Sequence, residues 1–177
     1  MLLDQVFERF IQESPVSVMV RGLLEKALCP KKLDELFKQS AKAQYTRELL
    51  FSTVVNLMSL VVCGIHPSVH AAHQAKTKEV GVSVTSVYNK LNGIEPFVSA
   101  QLVRDTASEM EATIRHLNSS LPDLLPGYRV KILDGNVLAA TEHRLKVLRQ
   151  TNSAPMPGKS LVVLDPALML AVDVFGV

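Results

Sequence analysis

Before residue 121 the apolar side chains recur at helical intervals, and after it they alternate or run together. Pro122, Pro126 and Gly127 stand at the change, and that pair of residue types interrupts a helix or a strand ladder equally. A chain ordered this way has its helices first and its strands second, which is the pattern of an α+β protein rather than of alternating βαβ units. The organisation expected is an all-helical region over 1–120, a linker over 121–128 and a strand-bearing region over 129–177. At 47% hydrophobic and 20% charged residues the chain has enough apolar material for a core, which excludes a disordered tail.

Within the first region, Leu2, Val6, Phe7 and Phe10 form one helical stripe. A second helix follows Pro15 with Val18, Leu23, Leu24 and Leu28, and Pro30 begins a third with Leu33, Leu36 and Phe37. Proline suits both starts because the first turn of a helix has no use for its missing N–H. An apolar helix is expected from Arg47 to Cys63, ending near Gly64. Pro67 opens the next, which ends before Gly81. A short helix ends at Asn92-Gly93, and the longest runs from about Glu95 to Asn118 with Val98, Leu102, Ala107, Met110 and Ile114 inward. Strands are expected at 129–133, 161–164 and 168–175, the last two paired across Pro166-Ala167.

Residues 49–65 carry no charge. The stretch is shorter than the ~20 apolar residues a membrane span needs, and Ser52, Thr53, Asn56 and Ser59 interrupt it, so a buried core helix is expected and no membrane partner. The start carries Asp4 and Glu8 and lacks the basic segment of a signal peptide, which leaves the cytoplasm as the expected location. Cys29 and Cys63 are too far apart for a metal knuckle or a disulfide scaffold.

The segment 68–93 has the marks of a helix-turn-helix. Gly81 supplies the residue that tolerates positive φ at the bend, Ser83 is a good N-cap, and Val82 with Val87 or Leu91 would lock the second helix to the first. Thr85, Ser86, Tyr88, Asn89 and Lys90 are then left facing outward, a polar set able to meet base edges and phosphates. An ordinary helix corner has the same pattern. His66, His70 and His73 stand at i, i+4 and i+7 and share a helical face, but no acid or cysteine completes a metal set, and a solvated face is the plainer reading. Pro155 to Ser160 echoes the tail of a phosphate-binding loop, yet Ser153 stands where that loop requires glycine.

Asp134 is read as ending an apolar strand, with Gly135 next to it. A carboxylate there suits a divalent cation approached closely, although Asp-Gly after a strand is also a common turn. The longer strings around it carry more. VKILDGN at 130–136, LAATEHRLKVLR at 138–149, APMPGKS at 154–160 and LVVLDPALMLAVDVF at 161–175 together resemble the opening of the catalytic domain of IS-four-type insertion-sequence transposases. These belong to the Asp-Asp-Glu group with an RNase H-like fold. SVTSVYNKLNGIEPFVSAQLVR at 83–104 resembles the N-terminal helical region of the same proteins.

The resemblance implies DNA binding and metal-dependent DNA transposition, with transposon ends and a homo-oligomer as partners. It makes Asp134 the first carboxylate of the triad, on the first strand of the fold, and one ligand of two divalent cations, usually Mg²⁺. It also implies that the insertion between the first two strands approaches DNA through His143, Arg144, Lys146 and Arg149, where Glu142 is the sole acid between 136 and 160. The same four residues would equally line the solvated side of an amphipathic helix. Asp165 and Asp173 are further acids, but the family's second and third carboxylates fall on later elements, outside these residues. The chain is therefore expected to be the front of a truncated catalytic domain, unable by itself to cut or join DNA. A non-catalytic helix-turn-helix DNA-binding or regulatory protein is the alternative, and a helical module that associates through 47–65 is a third.

Overall fold

The computed structural model describes residues 14–42, 48–138 and 158–176. It is an α+β chain, helices followed by a small three-stranded antiparallel sheet, and it divides into two compact units, Met1–Gly93 and Ile94–Val177. The expected stripe over residues 2–10 and the basic insertion at 143–149 lie outside the described residues.

In the first unit α1 spans Pro15–Ala27 and α2 spans Pro30–Ser40, each with its proline in the first turn. The apolar helix α3 spans Phe51–Val62, starting four residues later than its composition suggests. The reason lies in α2. Leu50 precedes α3 in an extended conformation and has no side chain that could cap it. The Asp34 carboxylate does so instead, accepting from the Ser52 N–H at 2.9 Å and from the Ser52 hydroxyl at 2.8 Å. A carboxylate at that end satisfies an otherwise orphan donor and opposes the helix dipole. Phe37 of α2 and Phe51 of α3 stack with centroids 4.9 Å apart. With Leu33, Leu36, Leu49, Val54 and Leu57 they make the buried core of this unit.

At the far end of α3, Ile65 N–H donates to Leu60 O and Gly64 N–H to Val61 O, with Gly64 at φ +72°. That is a Schellman stop, which needs a residue content in the left-handed region. The helix expected to open at Pro67 is two short pieces, α4 at Val69–Ala75 and α5 at Thr77–Val80. Ser68 rather than Pro67 marks the start, its hydroxyl accepting from the Ala71 N–H. At the break, the Thr77 hydroxyl bonds back to the carbonyls of His73 and Gln74, a back-bonding habit of threonine that bends helices. Helix α6 follows at Val84–Gly93 and packs against α3.

The second unit opens with α7, Pro96–His116, in which Val98, Ala100 and Ala107 are buried. It ends like α3, with Asn118 at φ +53° and Ser119 N–H donating to Ile114 O. Leu125 to Tyr128 form a turn closed by Tyr128 N–H on Leu125 O, with Gly127 at φ +82° after Pro126, the residue order of a type II turn. Strands β1 (Ile132–Leu138), β2 (Gly158–Asp165) and β3 (Leu170–Gly176) then pair antiparallel in the order β1-β2-β3. Helix α7 packs along β3, so the longest helix shares a unit with the strands, whereas sequence order groups it with the helices before it.

The β2–β3 hairpin forms where expected. The first strand does not: it begins at Ile132 rather than 129 and runs on through Asp134 and Gly135, with Asp134 opposite Val162 and Gly135 opposite Leu161. Leu161 packs over the glycine. A Cβ on Gly135 would stand 3.3 Å from its Cδ2, so the leucine lies across the strand at the point where a side chain is missing. Asp-Gly here is a strand interior and not a turn. Gly158-Lys159-Ser160 likewise opens β2, which agrees with the rejection of a phosphate-binding loop.

Candidate functional site

The segment from Ser68 to Gly93 folds as helix, bend and helix. Gly81 ends α5 at φ +69°, and open space surrounds the position a Cβ would take. Its glycine is thus required by backbone conformation alone. Ser83 starts α6: its hydroxyl accepts from the Ser86 N–H at 3.2 Å while its carbonyl accepts from the Val87 N–H. The bend is further pinned by His73, buried on α4, whose Nε2 lies 2.7 Å from the Val82 carbonyl. A carbonyl oxygen only accepts, so Nε2 carries the proton. His73 is thereby a structural residue of the bend, with His66 half-buried and His70 exposed.

Val87 is fully buried and anchors α6, with Leu91 half-buried beside it. Thr85, Ser86, Tyr88 and Asn89 lie exposed on the outer side, as the helical period requires once Val87 points in. Lys90 differs from them. It is half-buried, with its ammonium 4.2 Å from the centroid of the Phe37 ring. Burial pushes its pKa below the usual lysine range, and the Asp34 carboxylate partly opposes that.

In the second unit Asp134 is exposed on β1, an edge strand among the described residues. The cross-strand row Asp134–Val162–Val174 places it beside apolar neighbours on its face. The two other acids of the sheet are committed elsewhere. Asp165 is 1% exposed; its Oδ2 accepts from Lys131 Nζ and from Arg129 Nη2 at 3.1 Å, and its Oδ1 from the Ala167 N–H at 3.1 Å. Burial pushes this carboxyl up, but the hydrogen bonds and charges of Lys131 and Arg129 outweigh it and hold the group below the usual carboxylate range. Arg129 also reaches Glu111 of α7. Asp173 pairs with Arg104 of α7 at 2.9 Å.

Mg²⁺ takes oxygen ligands in near-octahedral geometry and is bound through one or two carboxylates plus waters and substrate phosphates. Asp134 offers one carboxylate. No group of three or more His, Cys, Asp or Glu that could hold a metal comes together among the described residues, so these residues alone do not complete a two-metal centre. The Asp165 cluster escaped the sequence reading, because Lys131 and Arg129 lie 34 and 36 residues before it. The inward turn of Lys90 escaped it likewise, because the ring it covers lies far back in the chain.

No helix among the described residues is long and apolar enough to cross a membrane. No family model matches the chain, and neither does any curated protein or solved structure.

Proposed function

We propose that this chain binds duplex DNA through the helix-turn-helix-like segment 68–93 and carries the first strands of an RNase H-like catalytic domain, as the front part of a DDE transposase acting in the cytoplasm. One observation carries the reading furthest. The strands on either side of the 138–158 insertion form a sequential antiparallel meander, and Asp134 lies exposed on the first of them. That is the strand on which the resemblance expects the first metal-binding carboxylate. The exposed polar face of Thr85, Ser86, Tyr88 and Asn89 supports the DNA-binding half.

In this reading Asp134 is one ligand for Mg²⁺, and the remaining carboxylates belong to elements beyond β3. Transposon ends are the DNA partner, and the working enzyme is a homo-oligomer. His143, Arg144, Lys146 and Arg149 are assigned to DNA contact on the resemblance alone.

A second reading rests on the helix-bend-helix at 68–93 alone, whose exposed polar face of Thr85, Ser86, Tyr88 and Asn89 needs no catalytic strand beside it. In it the chain would act as a non-catalytic DNA-binding or regulatory protein through that segment.

Two measurements test these readings. Titration of a labelled duplex at rising salt should give a linear fall of log K with log salt, the signature of counterion release from phosphates; binding that ignores salt would count against both. Incubation of the chain with Mg²⁺ and a transposon-end duplex should leave the DNA intact. Nicking that vanishes in Asp134→Ala would show instead that these residues suffice for catalysis. Reading the frame downstream of codon 177 separates the two: a later strand with Asp and a helix with Glu support the transposase, and their absence supports the regulator.

A further inference from the structure

Lys90 is the sole charged residue of α6, and it is the one member of the helix's polar set that turns inward. Its ammonium sits 4.2 Å from the Phe37 centroid, well inside the ~6 Å over which a cation is attracted to a ring face. Phe37 is itself 1% exposed and stacked on Phe51. Asp34, one turn before Phe37 on α2, adds its field at Lys90 while capping α3 through Ser52. Helices α2, α3 and α6 therefore meet around one aromatic pair, and Lys90 joins Val87 in tying α6 to them. To reach a phosphate its ammonium would have to leave the ring.

We infer that Lys90 is a positioning residue of the DNA-reading surface: it braces α6 against the Phe37–Phe51 stack and leaves the outer face of that helix uncharged. The inference rests on the proposal that α6 meets DNA. Under it, Thr85, Ser86, Tyr88 and Asn89 read bases by neutral hydrogen bonds and apolar contact, and the charges that neutralise phosphates come from outside α6.

The test compares Lys90→Met, which keeps the stem and removes the charge, with Lys90→Ala, which removes both. A lysine on a phosphate contributes about 0.9 to the slope of log K against log salt. The brace predicts that both variants keep the wild-type slope. It also predicts that Lys90→Ala binds roughly tenfold more weakly, that Lys90→Met recovers to within about threefold, and that hydrogen exchange of α6 amides speeds up about tenfold in the alanine variant. A slope lowered by about 0.9 in Lys90→Met would overturn the inference and make Lys90 a phosphate contact. Unchanged α6 exchange in Lys90→Ala would overturn the brace itself. If the wild-type protein bound no duplex at all, the DNA reading would fall and this role in DNA reading with it, and the exchange experiment would still decide whether Lys90 holds α6.

Discussion

The two units are held together by different chemistry. The first closes around large apolar side chains, Phe37, Phe51, Val54 and Leu57, each no more than 3% exposed, with Lys90 and Asp34 arranged over them. In the second, the buried apolar residues among those described are Val98, Ala100, Ala107 and Leu168, and the most deeply buried large side chain described there after Val98 is a carboxylate, Asp165. Small residues on α7 allow close approach to the strand beside it but remove little apolar area from water. What remains is supplied by hydrogen-bonded charge. The helical unit stands on an aromatic core, whereas the sheet is fastened in part by an ion cluster that acid can dismantle.

The largest expected effect falls on the aromatic core. Phe37→Ala removes a ring that contacts both Phe51 and Lys90, and truncating a buried phenylalanine costs about 3–5 kcal/mol. Hydrogen exchange should show the amides of α2, α3 and α6 losing protection while those of β2 and β3 keep theirs. Loss in both units together would break the comparison and make the chain one cooperative block.

Next is the ion cluster. Asp165→Asn leaves Arg129 and Lys131 facing a neutral amide in a buried place. Because their side chains are 58% and 35% exposed, water recovers part of the loss. The cost should be about 2 kcal/mol, within the range for a hydrogen bond to a charged group, seen as a lower urea midpoint for β2 and β3. The pH dependence has a fixed sign. The Asp165 carboxyl is held below its ordinary value, so its contribution is complete above the unfolded pKa of about 3.9 and disappears as pH falls through the lower, folded value. Acid below about pH 4 should therefore loosen the strands. An Asp165→Asn variant that retains the wild-type acid transition would break that assignment.

These contrasts mark what was readable along the chain. Helix punctuation was: Pro15 and Pro30 open helices, and Gly64 and Gly81 close them, because each acts on its own backbone. The hairpin at Pro166 was readable for the same reason. The start of α3 was not, since Leu50 looks helical and its cap comes from Asp34, 18 residues earlier. Asp134-Gly135 reads as a turn locally and is a strand because it pairs with Val162 and Leu161 of β2, which lie far on in the chain. In the candidate DNA-reading face, Thr85, Ser86, Tyr88 and Asn89 follow from helical period once Val87 is inside. Lys90 does not, because period places a Cα but the ring that draws the ammonium inward belongs to α2. Asp165 looked like one more acid near the end of a strand, and its partners lie 34 and 36 residues away.

Gly81 offers a smaller and more local probe. At φ +69° with nothing near a Cβ, Gly81→Ala pays only the left-handed strain of an L-residue, about 1 kcal/mol. Thermal unfolding of the first unit should show that decrement, and the α4–α6 bend should survive. A cost several times larger would mean that the bend is packed more tightly than its open surroundings indicate.

The smallest expected change is a gain in the second unit. Met169 sits in the β2–β3 turn at φ +52° with its side chain 67% exposed. A non-glycine residue in the left-handed region carries about 1–2 kcal/mol of steric cost, and replacing it by glycine removes that. The same replacement gives the unfolded chain more freedom, which takes back about 0.4–1 kcal/mol. Little packing is lost with so exposed a side chain, so Met169→Gly should raise the urea midpoint of the strands by the equivalent of about 0.5 kcal/mol. The result sharpens the comparison because the turn is also held by Asp165, whose Oδ1 accepts the Ala167 N–H. If the ion cluster fixes the turn, the gain persists at neutral pH and shrinks in acid, where the protonated carboxyl no longer orders the residues that Met169 follows. A gain independent of pH would show that the turn holds its shape without Asp165, and would narrow the cluster's role to joining Arg129 and Lys131 to the end of β2.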